Sequence, residues 1–146
     1  MRPLRNFLRL PSGERRLLLR ALLAVKAIRV ALWLLPFSRV RQMVARAASG
    51  GQGGVPAPGT DARIADAVER AAGYVPAASC LVRALALRVL LEHAGAGGEL
   101  RIGVERQDGR LRAHAWVVRG DGMVLIGGDH DLTRFTVLPA LPGEGP

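Results

Sequence analysis

Hydrophobic residues recur at helical spacing in the first part of the chain and at every second position in the last part. Leu and Ala dominate residues 14–35, which contain no Gly or Pro, and this predicts a long helix. Ser12 stands at the position of an N-cap, and Pro36 ends the run. A second, short helix is predicted over residues 38–47.

Two more helices are predicted before the pattern changes. Thr60 is placed to cap a helix over residues 61–72, and Pro76 and Ser79 introduce another over residues 80–94 that Gly95 closes. Apolar stripes are predicted at Ile64, Ala65, Val68, Ala71 and Ala72 on the first, and at Val82, Leu85, Ala86 and Val89 on the second.

From residue 100 onward the apolar residues alternate with polar ones, as in half-buried strands. Asp108-Gly109 is a strong signal for a two-residue hairpin turn between strands over 100–105 and 110–119. Gly120-Asp121-Gly122 marks a second turn, and residues 123–126 and 134–138 are further strands. Helices followed by an antiparallel sheet define an α+β fold.

The Asp108-Gly109 turn fixes a register that can be checked residue by residue. The apolar pairs are Val104–Ala113 and Ile102–Ala115, and the other face pairs Gly103 with His114, Glu105 with Arg112 and Arg101 with Trp116. We expect an ion pair at Glu105–Arg112, a cation–aromatic pair at Arg101–Trp116, and open space beside His114 because Gly103 has no side chain.

The charge is unevenly distributed along the chain, whose formal net charge is +9. Residues 1–60 carry 11 basic residues and one acid, Glu14, whereas residues 61–146 carry 10 basic and 11 acidic residues. An uncharged, Gly- and Pro-rich stretch lies where the balance changes. We therefore predict a basic helical region at 1–46, a linker at 47–60 and a catalytic domain at 61–146.

The basic region does not resemble a signal peptide or a membrane span, because Arg20, Lys26 and Arg29 interrupt its apolar run. On an ideal helix its cations also point in nearly opposite directions, which argues against an interfacial anchor. A core or partner-packing helix is favoured, followed by docking to partner proteins or to the inner membrane surface. No nucleic-acid-binding motif is present. We expect a cytoplasmic protein.

The single cysteine excludes an internal disulfide, a Cys-based structural zinc site and an iron–sulfur cluster. Cys80 stands at the start of a predicted helix, where backbone N–H groups and the helix dipole favour the thiolate. A buried structural cysteine is the competing interpretation.

His114, in mid-strand, fits the base of a cysteine hydrolase, although an isolated strand histidine is usually only packed. A tight Asp121-Gly122 turn would place Asp129 opposite His114 as the orienting acid, with Asp131 the second choice. His93 is interpreted as a helix-end charge. A metal site at His130, Asp129 and Asp131 matches no standard ligand spacing, so no metal or cofactor is predicted.

Three motifs in order resemble the leader peptidases of lasso-peptide biosynthesis, a transglutaminase-like, papain-related family: Ser79–Leu87 (SCLVRALAL), Leu100–Val104 (LRIGV) and His114–Val117 (HAWV). The resemblance covers about residues 72–138, and it implies that Cys80 is the nucleophile and His114 the general base. Family members often carry an Asp near the end of the next strand, where this chain has Gly127.

The resemblance implies a cysteine peptidase that removes the leader from a ribosomally made lasso precursor peptide. It also implies two partners, a small leader-binding protein and an ATP-dependent lasso cyclase. A transglutaminase-like acyltransferase acting on another peptide and a non-catalytic scaffold of a biosynthetic complex are the alternatives.

Overall fold

The computed structural model describes residues 10–49 and 54–139, in which four helices precede a four-stranded antiparallel sheet. The predicted α+β class is confirmed. Parts of the predicted basic region (1–9) and linker (50–53), and the C-terminal residues 140–146, lie outside the described residues. The elements are α1 (Ser12–Leu34), α2 (Phe37–Ser49), α3 (Thr60–Ala72), α4 (Cys80–His93), β1 (Glu99–Gln107), β2 (Arg110–Val118), β3 (Val124–Ile126) and β4 (Thr136–Val137).

Helix α1 begins at Ser12, the residue predicted to be its cap. Pro11 is the N-cap and Ser12 is already helical, so the prediction of Ser12 as the cap was wrong. Proline suits this position because the first N–H groups of a helix have no partner within it. The helix ends as predicted before Pro36, where Leu35 is extended. In the described part of the chain, no helix combines the length and apolarity needed to cross a bilayer.

The two N-terminal helices share one core with the rest of the protein. Ala21, Val25 and Ile28 of α1 and Val40 and Val44 of α2 are buried in the same cluster as residues of α3, α4 and the sheet. The change in charge near residue 60 is therefore not a boundary of the core.

Helix α3 also starts one residue before its predicted start. Gly59, with a φ of 77°, occupies the N-cap, and Thr60 is the first helical residue. The Thr60 hydroxyl donates to the Ala57 carbonyl at 2.7 Å, so it does not cap the helix as predicted. The apolar stripe of α3 is buried as predicted, and Gly73 ends the helix.

Helix α4 lies at the centre of the fold. It contacts α1, α2 and α3 on one side and β1, β2 and β3 on the other. Residues all around its axis are buried, namely Val82, Ala84, Leu85, Ala86, Leu87 and Leu91, whereas Val89 is only partly buried. The predicted cap is confirmed, because the Ser79 hydroxyl accepts a hydrogen bond from the Val82 N–H at 3.4 Å.

The β1–β2 hairpin has the predicted register at every pair. Gly103 lies opposite His114, Glu105 opposite Arg112 and Arg101 opposite Trp116. Asp108 and Gly109 both have positive φ angles, 51° and 74°, as a type I′ turn requires.

Side-chain contacts on the polar face of the hairpin agree only in part with the prediction. The Arg112–Glu105 ion pair is present at 3.5 Å, and Arg134 adds a second cation at 3.4 Å from the buried Glu105 carboxylate. The Arg101 guanidinium pairs with Glu99 at 3.0 Å, while Trp116 packs against aromatic rings of its own face.

The sheet order is β3-β2-β1-β4, so β2 is an inner strand with a neighbour on each side. Val117 pairs with Ile126 and Val118 with Val124, and a bulge between the two shifts the register. Residues 132–134 form a 3₁₀ turn that overlaps the predicted last strand (134–138) at Arg134, and β4 covers only two residues.

A buried carboxylate joins the helical layer to the turn after β2. Asp61 of α3 accepts a hydrogen bond from the Arg119 guanidinium at 2.8 Å, and Arg119 also pairs with Asp121 at 2.6 Å. The Arg119 hydrogen bond, the Ala62 N–H and the charge of Arg119 outweigh burial and lower the pKa of Asp61.

We predict that Asp61→Asn destabilises the fold by about 1–3 kcal/mol at pH 7, because Arg119 loses a charged partner. The folded-state pKa of Asp61 is depressed, so its contribution is present above the unfolded value and is lost as the pH falls through the folded value. Urea unfolding at pH 7 and at pH 3 measures this, and the difference in unfolding free energy between the variant and wild type should be smaller at pH 3. An unchanged difference would contradict the assignment.

Candidate active site

A cleft of about 310 Å³ lies between the start of α4, the middle of β2 and the segment that follows β3. Both residues with the predicted chemistry line it, because α4 enters the core beside the inner strand β2. Its lining includes Ser79, Cys80, Arg83, His114, Gly127 and His130.

Cys80 is the first residue of α4 and is partly exposed in the cleft. The first N–H groups of a helix lack intrahelical acceptors and point away from its N-terminus, so they favour an anion there. Arg83 connects the segment before α4 to helix α3, because its guanidinium donates to the Ala78 carbonyl at 3.1 Å and pairs with Glu69 at 3.2 Å. The position suits a reactive thiol.

His114 is buried in mid-strand, and its Nε2 lies 2.8 Å from the carbonyl oxygen of Gly127. A carbonyl only accepts hydrogen bonds, so this contact places the proton on Nε2. In the neutral ring the lone pair is then on Nδ1. That tautomer is the one in which Nδ1 can accept a proton.

Gly127 can make this contact only because it has no side chain. Its φ is +82°, and a Cβ there would lie 2.8 Å from the Trp116 Cβ and 2.9 Å from the Ala115 carbonyl oxygen. The family resemblance marks Gly127 as the position of a missing acid. The structure puts a backbone carbonyl against the imidazole, which a search for acidic residues would not find.

Aromatic rings surround the His114 imidazole. His130 stacks on it with ring centroids 4.6 Å apart, and Trp116 and Phe135 lie at 5.9 Å and 5.4 Å. A Cβ on Gly103 would come within 2.9 Å of both Phe135 and Trp116. The expected open space beside His114 is therefore occupied by Phe135 and Trp116, which limit the movement of the ring.

Of the two candidate acids, Asp129 lines the cleft and Asp131 does not. Asp129 is three-quarters exposed and faces the Nδ1 of His130 at 3.6 Å, so its contact with the imidazole of His114 is through the stacked His130 ring. Asp131 caps the 3₁₀ turn, and its hydrogen bonds from the Thr133 hydroxyl and N–H lower its pKa. The bond that orients the His114 ring is therefore made by Gly127.

Two other expectations concern the remaining histidines. His93 is exposed at the last position of α4, as expected of a helix-end charge. Within residues 10–49 and 54–139, no three His, Cys, Asp or Glu side chains are grouped so that they could hold a metal ion.

A helix-start thiol and a strand imidazole that line one cleft can carry out nucleophilic acyl transfer. Residues 22–140 match the transglutaminase-like superfamily, so the chain belongs to that superfamily, whose fold is found in cysteine peptidases and acyltransferases. No curated protein and no solved structure matches the chain significantly.

We predict that Gly127→Ala destabilises the protein by about 1–3 kcal/mol, because alanine must adopt the positive φ and displaces Trp116. Urea denaturation measures this loss. ¹⁵N NMR of His114, recorded where the ring is neutral, should show less of the Nε2–H tautomer than in wild type.

The matched control is Gly120→Ala, since a Cβ at Gly120 meets no atom within 4 Å and its φ is not positive. Equal stability and an identical His114 tautomer in the two variants would show that the Gly127 carbonyl does not hold the ring.

Proposed function

We propose that this protein is a cysteine peptidase that removes the leader from a ribosomally synthesised lasso-peptide precursor. The observation that carries the proposal is the meeting of Cys80 and His114 in one cleft of a transglutaminase-like domain. The specific substrate class is supported by the motifs at Ser79–Leu87, Leu100–Val104 and His114–Val117, which resemble those of lasso leader peptidases.

The first chemical step follows from the tautomer of His114. Nδ1 takes the proton from the Cys80 thiol, and the sulfur attacks the carbonyl carbon of the scissile peptide bond. The developing oxyanion is stabilised by N–H groups at the start of α4, with that of Cys80 as the first candidate. The imidazolium then protonates the leaving amine as the C–N bond breaks.

The second step releases the acyl group. His114 takes a proton from water as the water oxygen attacks the thioester carbonyl, and the imidazolium returns that proton to the sulfur as the C–S bond breaks, which regenerates the thiol. Throughout both steps the Nε2–H of His114 donates its hydrogen bond to the Gly127 carbonyl. Asp129, the orienting acid favoured by the sequence, lies 3.6 Å from the Nδ1 of His130, whose ring stacks on that of His114.

The partners in this proposal are a small protein that binds the leader and presents the precursor, and an ATP-dependent cyclase that closes the lasso on the cleaved product. The genes next to this one test this independently of the enzyme. A short precursor, a leader-binding protein and an asparagine-synthetase-like cyclase are expected among them.

Acyl transfer to an amine of another peptide is the second candidate, because the matched superfamily is named for transglutaminases. It uses the same thioester on Cys80 but resolves it with an amine in place of water. A product joined by a new amide bond would favour this activity, whereas two hydrolysed fragments would favour the peptidase.

We predict that the wild-type chain, mixed with precursor and leader-binding protein, cleaves one bond, and that Cys80→Ala abolishes this cleavage. His114→Gln should lower the rate by about 10²–10⁴-fold, as expected for loss of a general base. Mass spectrometry of the products identifies the cleaved bond, and the same measurement over time gives the cleavage rate.

His93→Gln is the matched control for the histidine variant, because His93 is exposed at the far end of α4. Its cleavage rate should equal that of wild type. Undiminished cleavage by Cys80→Ala would contradict the proposal, and normal complex formation without any cleavage by wild type would favour a scaffold.

A further inference from the structure

The outer face of α1 exposes large apolar side chains to solvent. Trp33 is 75% exposed, Leu23 68% and Leu34 65%, and Leu19 and Val30 are about half exposed. A tryptophan is usually largely buried in a folded protein, so this degree of exposure is unusual. Contiguous exposed apolar surface commonly marks a binding site.

The exposed apolar residues form one stripe along the helix. Positions 19, 23, 30 and 34 follow one another at spacings of four, seven and four residues, and Trp33 lies three residues after Val30, so these residues share a face at 3.6 residues per turn. Ala21, Val25 and Ile28 occupy the opposite face and are buried in the core. At a rise of 1.5 Å per residue, the stripe is about 22 Å long.

The charges beside this stripe are all positive. Arg16, Arg20 and Lys26 are exposed, whereas Arg15 and Arg29 are half-buried. At about 100° per residue, Lys26 falls within the stripe and Arg16 and Arg20 fall at its edge, so the three exposed cations accompany the stripe although all five cations together do not share one face. Residues 10–49 carry eight basic residues and a single acid, the half-buried Glu14.

We propose that the outer face of α1 lies flat on an anionic lipid surface. The apolar stripe enters the boundary between headgroups and acyl chains, and the long side chains of Arg16, Arg20 and Lys26 extend to the lipid phosphates. Trp33 occupies the headgroup level, which indole rings prefer.

A membrane is favoured over a protein partner by the composition of the face. Lysine is depleted at protein–protein interfaces, where arginine and tryptophan are enriched, whereas helices that bind anionic bilayers carry both Lys and Arg on a polar face beside Trp, Phe and Leu. A net positive helix pair also complements the negative surface potential of such a bilayer. The site does not involve Cys80 or His114, so it is independent of the proposed peptidase activity.

The test is co-sedimentation of the full chain with two kinds of vesicle. One contains phosphatidylcholine alone, and the other contains phosphatidylcholine with about 30 mol% phosphatidylglycerol. We expect binding to the anionic vesicles only, weakened by added salt, with a blue shift of Trp33 fluorescence. The double variant Leu23→Gln/Trp33→Gln should lose at least about tenfold in affinity, as should Arg16→Glu/Arg20→Glu.

Leu111→Gln is the matched control, because Leu111 is an equally exposed leucine, 70% exposed, on strand β2. It should bind anionic vesicles as wild type does. Circular dichroism checks that each variant remains folded, and exposed positions are chosen so that the core is untouched.

Absence of binding to anionic vesicles at low salt would overturn the proposal. It would also be overturned if Leu23→Gln/Trp33→Gln bound as tightly as wild type, since adhesion would then be purely electrostatic. Loss of binding to a leader-binding protein in that variant, with vesicle binding intact, would assign the face to a protein instead.

Discussion

The burial of helix α4 on nearly all sides is the constraint on which the rest of the structure depends. A helix with buried apolar residues on nearly all sides must be enclosed, and here three helices and three strands enclose it. Because α4 cannot leave the core, its first residue is held beside the inner strand β2. The placement of Cys80 and His114 in one cleft is thus a consequence of packing. The N-terminal helices contribute to this enclosure, so they support the cleft even though they do not line it.

The hairpin is the part of the fold that the sequence predicts best. Asp108-Gly109 accepts only a narrow set of backbone angles, and alternation with a period of two permits one register, so each β1–β2 pair follows from local chemistry. The helix bounds are nearly as well determined, with one-residue errors at Ser12 and Thr60. There Pro11 and Gly59 occupy the caps, and the hydroxyl of Thr60 bonds backward to Ala57.

The site is less predictable because its decisive contacts are made by backbone and by packing. The pairing that suggested Asp129 as the partner of His114 assumes a regular ladder, but β3 ends at Ile126 and Gly127 turns with a positive φ. The carbonyl of Gly127 then reaches the imidazole, and no side-chain pattern signals this. The filling of the space beside Gly103 by Phe135 is likewise a tertiary contact, made by a residue 32 positions further along the chain.

The most direct test of this account is the rate at which iodoacetamide alkylates Cys80 at pH 7. The chain has one cysteine, so mass spectrometry reports that site alone. If the imidazole takes the thiol proton, His114→Gln should react at least about tenfold more slowly than wild type, because the thiolate is the reactive species, while His93→Gln should react at the wild-type rate. Equal rates in wild type and His114→Gln would contradict the claim that Cys80 and His114 act as a nucleophile and its base.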